Sequence, residues 1–223
     1  MKLVYIHGHG ASSDSFNFIR SEINGHDAIC LEYDSTNGFA ANLAAMAEQL
    51  KDASDVFFVA HSLGGLYALH LADKLGDRVA GAVTMATPYG GSEAAIALNF
   101  ISPQQIYKDI HPVASPVMQG RNIDLHALHN WTAIVTTKGH SHLMAPANDG
   151  VVTVDSMRNR RGVKFIEVES NHHEVTQSHH SVDIIKAALK EVEELQVRHE
   201  KPGIHRQIVR RNRPRQGAAP CLP

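Results

Sequence analysis

The chain has little cysteine and no long apolar run, and each shortage removes a class of protein. Only Cys30 and Cys221 occur in 223 residues, one inside a strand pattern and one near the C-terminus, so a disulfide framework is not what holds the fold together. Nowhere do about 20 consecutive apolar residues occur, the length a helix needs to span a bilayer, so no membrane span is expected. The opening Met-Lys-Leu-Val-Tyr-Ile-His-Gly runs straight into a strand pattern without the apolar stretch and small-residue cleavage site of a secretory leader, which makes a cytoplasmic location the expectation. What remains is ordinary: 43% hydrophobic residues in 223 can fill the core of one domain.

Charge divides the chain. Residues 196–223 hold seven Lys/Arg against the single acid Glu200, which leaves 14 basic and 22 acidic side chains in residues 1–195, a net of −8. The tail contains Pro202, Gly203, Pro214, Gly217, Pro220 and Pro223 and has neither apolar periodicity nor a stacking platform. It is expected to be a disordered basic extension of a domain at 1–195, with no nucleic-acid partner.

Within 1–195, short apolar runs alternate with helical patterns. Strands are expected at about 3–7, 28–33, 56–60, 82–86, 133–137 and 163–168, and helices near 16–23, 39–50, 65–75 and 182–195. Runs that are apolar throughout, rather than alternating, indicate a parallel sheet covered on both faces, hence an α/β fold with six mostly parallel strands.

The chemistry is concentrated in four places. Residues 55–65 read Asp-Val-Phe-Phe-Val-Ala-His-Ser-Leu-Gly-Gly: an apolar strand, a tight turn and a helix, with Ser62 between the small residues Ala60 and Gly64. Taken alone, Ser-Leu-Gly-Gly is also a helix N-cap with a soft first turn. In its strand–turn–helix setting it resembles the nucleophile elbow of α/β-hydrolases, with Ala60 where the G-x-S-x-G consensus has glycine, a form similar to that of some small bacterial lipases. The resemblance covers about residues 2–195 and, with no antiparallel hairpin before the first strand, implies the minimal form of that fold.

The same resemblance assigns roles elsewhere. His7-Gly8-His9-Gly10 follows the first strand; by itself it could be a metal-binding pair or a plain turn, but in the hydrolase setting the backbone N–H groups of His9 and Leu63 are the expected oxyanion hole. The string Asn148-Asp149-Gly150-Val151-Val152 resembles a lipase acid loop, giving Asp149 as the triad acid with Asp155 in reserve, although an Asp-Gly turn can simply reverse the chain. In Ser170-Asn171-His172-His173-Glu174 two histidines compete for the base, and the small-lipase spacing to the last helix favours His173 over His172. His179 and His180 fall at the start of that helix and are expected to be surface residues.

Two features bear on substrate. Between the fourth and fifth strands a lid-like insert of about 89–129 opens with Thr87-Pro88-Tyr89-Gly90-Gly91-Ser92, which resembles the T-P-H-x-G-S of bacterial lipases and of GPI inositol-deacylase-like hydrolases with Tyr89 in place of histidine. Tyr89, Phe100 and Ile101 are the expected substrate-binding residues, while apolar residues at helical spacing could equally pack the insert onto the sheet. The 16 histidines, His140 and His142 among them, raise a metal hypothesis, but no H-E-x-x-H or comparable ligand string appears and no metal or other cofactor is expected. The combined expectation is a serine carboxylester hydrolase, an esterase or lipase acting on small acyl esters. Thioesterase, amidase and acyltransferase activities use the same groups, and a catalytically silent scaffold that meets an anionic partner through the basic tail is the alternative from another class.

Overall fold

A computed structural model describes residues 1–95, 99, 104–125, 130–141, 144 and 146–200. Six strands form one sheet in the order β2-β1-β3-β4-β5-β6, and every neighbouring pair is parallel. They are β1 Lys2–Ile6, β2 Asp27–Leu31, β3 Val56–His61, β4 Val79–Met85, β5 Trp131–Thr136 and β6 Lys164–Val168. The helices are α1 Asn17–Glu22, α2 Phe39–Gln49, α3 Leu63–Leu75, α4 Gln105–Asp109, α5 Ser115–Asn122, α6 Val154–Arg158 and α7 His179–Glu200.

Composition sorts the strands across the sheet. β3 and β5 are buried at all six positions and carry no Asp, Glu, Lys or Arg, whereas the edge strands β2 and β6 carry Asp27, Lys164 and Glu167 on exposed positions. Charged residues in a strand keep their hydration most easily at a sheet edge, which suits β2 and β6 to those places. Alternation within each strand then divides the core. Val4, Ile6, Phe58 and Ala60 face a cluster completed by Phe39, Leu43 and Met46 of α2 and Leu66 and Leu69 of α3. Leu3, Tyr5, Phe57 and Val59 face the other cluster with Ile19 of α1 and Val182, Ile185 and Leu189 of α7. Each such side chain contributes roughly 1.5–3 kcal/mol by leaving water.

The insert after β4 is fastened to this sandwich by polar contacts. Gly38, the N-cap of α2, has no side chain to cap it, and the Asp109 carboxylate of α4 takes that place, accepting from the Phe39 N–H at 2.8 Å. His70 of α3 donates through Nε2 to the Pro116 carbonyl of α5 at 2.9 Å. Arg121 reaches the Gly90 carbonyl at 2.8 Å, and Arg160 donates to the carbonyls of Arg121, at 2.7 Å, and Ile123.

The chain divides into two compact units, Met1–Val192 and Glu193–Pro223. The second is described only as far as Glu200 and is helical there, with an Arg198–Glu194 ion pair at 4.0 Å. The last helix therefore runs five residues past the expected boundary at 195, and the rest of the basic tail, 201–223, lies outside the described residues. Among the described residues no helix is long and apolar enough to cross a membrane.

Candidate active site

Ser62, Asp149, His172 and the loop at residues 7–10 gather at the C-terminal edge of the sheet, where the segments after β1, β3, β5 and β6 meet. Ser62 stands between β3 and α3 with φ 52° and ψ −122°, a conformation that side chains rarely adopt. It persists because the surroundings fix it: the Ser62 N–H donates to the Met85 carbonyl at the end of β4 at 2.8 Å, and the next turn leaves no room to relax. A Cβ at Gly64 would lie 2.1 Å from the Ile6 carbonyl oxygen and 2.6 Å from that of His7; one at Gly65 would lie 1.9 Å from Thr87 Oγ1. The two glycines thus let α3 start against the ends of β1 and β4, which raises Ser62 on a sharp turn. Ala60, at the position of the consensus glycine, is fully buried within β3, and its methyl is part of the core.

Asp149 reaches the same edge from the loop after β5. Its Oδ1 accepts from the N–H groups of Val151 at 3.0 Å and Val152 at 2.8 Å, and its Oδ2 from the Thr136 hydroxyl at 2.5 Å. A Cβ at Gly139 would sit 2.1 Å from the Asp149 carbonyl carbon, so only glycine lets the returning chain pass that close. Burial by itself would raise the carboxyl pKa; the hydrogen bond and charge of His172, with the Thr136 and Val152 donors, outweigh it and hold Asp149 below the ordinary carboxylate range.

The third member is His172. Its Nδ1 lies 2.8 Å from Asp149 Oδ2 and its Nε2 lies 3.0 Å from Ser62 Oγ, with the ring buried. This corrects the preference for His173, which is exposed and N-caps the short 3-10 turn Glu174–Gln177, its ring meeting that of His172 edge-on at 5.3 Å. Asn171 is the cause: its Oδ1 accepts from the N–H groups of both His173 and Glu174, at 3.0 and 2.9 Å, which turns residue 173 outward and leaves residue 172 facing the serine. The asparagine two positions before His173 is the sequence signal that could have decided between them. Asp155, the reserve acid, lies on the exposed side of α6, and His179 and His180 are exposed at the start of α7.

The loop after β1 comes against Ser62: a Cβ at Gly8 would lie 3.1 Å from Ser62 Cβ. This loop is braced from several directions. Tyr33 donates to the His7 carbonyl at 2.9 Å, the Gly10 N–H donates to Ser35 Oγ at 2.9 Å and the Ser13 N–H to Glu32 at 2.8 Å. The side chain of His9 turns away from the loop to Tyr107 of α4, 3.2 Å from its hydroxyl, where partial burial lowers its pKa. Leu63, buried, is the first residue of α3.

The expected substrate contacts fare differently. Tyr89 is 2% exposed; its hydroxyl accepts from Trp131 Nε1 at 2.8 Å and lies 2.6 Å from Thr84 Oγ1, and burial, against those two bonds, pushes its pKa up to about 12. It is a core residue and not an exposed substrate contact, because a phenol with both partners inside the sheet gains nothing by turning out. Phe100 and Ile101 lie outside the described residues, as does His142, while His140 is exposed. Among the described residues no three His, Cys, Asp or Glu side chains are grouped to hold a metal ion.

Comparison with known proteins agrees with this geometry at the level of fold. The mature form of lipase BlEst2 from Bacillus licheniformis superposes with a TM-score of 0.70 at 18% identity, covering 84% of this chain and 91% of that one. A structure from the metagenome-derived lipolytic enzymes LipS and LipT gives 0.62 at 15% identity, with 86% and 93% covered. One from the carboxylesterases of the thaumarchaeon Nitrososphaera gargenis gives 0.58 at 11%, with 86% and 91% covered. Among curated proteins none matches the chain in sequence. The model of the Alpha/beta hydrolase family matches residues 3–186, and the chain belongs to that family.

Proposed function

We propose that the protein is a serine carboxylester hydrolase of the esterase or lipase kind, acting on small acyl esters through an acyl-enzyme on Ser62. The observation that carries this reading is the unbroken line from Ser62 Oγ to His172 Nε2, 3.0 Å, and from His172 Nδ1 to Asp149 Oδ2, 2.8 Å, beside a serine held at positive φ. A serine hydroxyl is a weak nucleophile at neutral pH and needs a base poised on its proton, and the base needs an acid that fixes its tautomer. Asp149, acting only as an acceptor once ionised, keeps the proton on Nδ1 and leaves the Nε2 lone pair for Ser62.

In the reaction, His172 takes the Ser62 proton as Oγ bonds to the ester carbonyl carbon, and the carbonyl oxygen becomes an oxyanion. We assign its stabilisation to the backbone N–H groups of Leu63 and His9, each such donor being worth about 100- to 1,000-fold in turnover. His172 then passes the proton to the leaving alkoxide, the alcohol departs and the acyl group stays on Ser62. Water repeats the sequence, giving its proton to His172 as its oxygen attacks the acyl carbon, and collapse returns the proton to Ser62 and releases the acid.

The test is turnover of a p-nitrophenyl ester series from acetate to palmitate by the wild type and by Ser62→Ala, with fluorophosphonate labelling followed by mass spectrometry. Ester hydrolysis lost in the variant, with the phosphonate on Ser62, is the expected result. Wild-type protein that cleaves no ester and takes no phosphonate would overturn the reading, and the same assay run with thioester and anilide analogues decides which acyl bond is preferred.

A further inference from the structure

We propose that His61 is a positioning residue for the base: its ring N–H holds the peptide carbonyl of His172 and thereby sets the span from Ser62 to Asp149. The inference rests on the serine-hydrolase reading above and deepens it.

His61 is the last residue of β3, directly before Ser62, and its side chain is buried. Its Nε2 lies 2.7 Å from the His172 carbonyl oxygen. A carbonyl can only accept, so Nε2 carries the proton and donates. Nδ1 is then a bare lone pair, and it is among the buried polar atoms with no hydrogen-bond partner, facing Gly8 at 3.0 Å from where a Cβ would stand. An imidazole with one protonated and one bare nitrogen is neutral. Burial, with the adjoining His172 second, lowers the His61 pKa to about 3, so it stays neutral where esterases work.

The consequence falls on His172, whose peptide is gripped on both sides. Its N–H donates to the Asp149 carbonyl at 3.1 Å, from the acid loop, while its C=O accepts from His61, from the nucleophile strand. The loop that carries the base is therefore fastened to the residue next to the nucleophile as well as to the acid. Ser62 Oγ and the His61 ring leave adjacent positions of one rigid strand end, so fixing the carbonyl fixes the distance the proton must cross. A shift of about 1 Å in such a contact can cost of order 100-fold in rate.

The chemistry also explains why a histidine stands here. A lysine or arginine could donate to the same carbonyl, but a permanent cation beside His172 would oppose the positive charge the base takes on in the transition state. Asparagine places its N–H at the reach of Nδ1 and falls short of the carbonyl. Glutamine places it at the reach of Nε2.

The experiment follows from those reaches. His61→Gln, His61→Asn and His61→Phe are compared with the wild type for kcat, KM and the rate of fluorophosphonate labelling, with melting temperatures recorded and Ser62→Ala run alongside. The expected order is glutamine within a few-fold of wild type, and asparagine and phenylalanine down by roughly 10- to 100-fold in kcat and in labelling rate, with KM little changed. Should the phenylalanine variant not fold, glutamine against asparagine carries the comparison. Equal losses in the glutamine and asparagine variants, or losses that track melting temperature or fall on KM, would overturn the positioning role. Full activity in Ser62→Ala would instead overturn the serine-hydrolase reading itself, so the two failures are distinct.

Discussion

The turn that carries Ser62 and the insert that follows β4 are built on opposite principles. At the turn, backbone meets backbone: Gly64 against the carbonyls of Ile6 and His7, Ser62 N–H on Met85, Gly139 against the Asp149 backbone. Such contacts leave a residue type no alternative, so they leave a mark in the sequence. Around the insert, side chains reach across the fold to backbone groups far away in the chain. Arg160 serves Arg121 and Ile123, Arg121 serves Gly90, His70 serves Pro116, and Asp109 caps α2. Any long polar side chain of the right reach would do, and no local pattern announces which one is used. The difference shows where steric exactness is concentrated: at the turn beside Ser62, where backbone packs on backbone, and not in the insert, which long polar side chains tie down.

The first way to break the comparison is to keep the edge's shape and change one proton. Asp149→Asn is expected to lower kcat by about 10,000-fold, because an amide can donate to Nδ1 and so stabilise the wrong tautomer of His172. Asp155→Asn, on the exposed side of α6, is expected to stay within two- to three-fold on the same ester. Equal losses in the two would mean that the acid has been misassigned.

Steric exactness at the edge is tested next. Gly64→Ala is expected to cost at least about 4 kcal/mol or to prevent folding, since its Cβ would meet the Ile6 carbonyl oxygen at 2.1 Å and backbone cannot yield as a flexible side chain does. Gly10→Ala, in the neighbouring loop with open space around the Cβ and a φ of 67°, is expected to cost about 1 kcal/mol from backbone strain alone. Denaturant unfolding of both distinguishes a crowded site from a merely strained one.

Acid should weaken the edge of the sheet that carries Ser62. His61 binds a proton near pH 3 when folded and near 6.5 when unfolded, so between those values the unfolded chain holds more protons and stability rises with pH. Lowering the pH from about 6.5 towards 3 is therefore expected to remove up to about 5 kcal/mol, and the depressed Asp149 carboxyl adds a loss in the same direction as pH falls through its folded pKa. Melting temperatures from pH 7 to 4 should fall less steeply in His61→Gln, which has nothing to protonate. Parallel curves for the two proteins would contradict this.

The smallest effect separates core from cleft in the insert. Tyr89→Phe leaves the Trp131 N–H without its acceptor and is expected to cost about 1–3 kcal/mol of stability while leaving the order of preference along the acyl series unchanged. A changed acyl-length preference would return Tyr89 to the substrate site.

This division also explains what the sequence could and could not tell. All six strands lie within a few residues of their expected positions, since each is built round a short apolar run that stands out from the helical patterns between them. Ser62 and Asp149, to which we assign the nucleophile and the acid, each sit in a motif whose neighbours are sterically required. His172 was not told from His173, since adjacent residues share a loop and only the Asn171 side chain, accepting from residues 173 and 174, turns one of them outward. Tyr89 was misread as a cleft residue because its partners, Thr84 and Trp131, lie five and 42 positions away in the chain and no periodicity links them.

The most direct measurement is a comparison of two neighbours. His172→Ala and His173→Ala are assayed side by side for ester turnover and for fluorophosphonate labelling of Ser62, both folded by circular dichroism. The account predicts a loss on the order of 10,000-fold or more in His172→Ala and a change of no more than a few-fold in His173→Ala. Turnover that survives in His172→Ala and disappears in His173→Ala would contradict it.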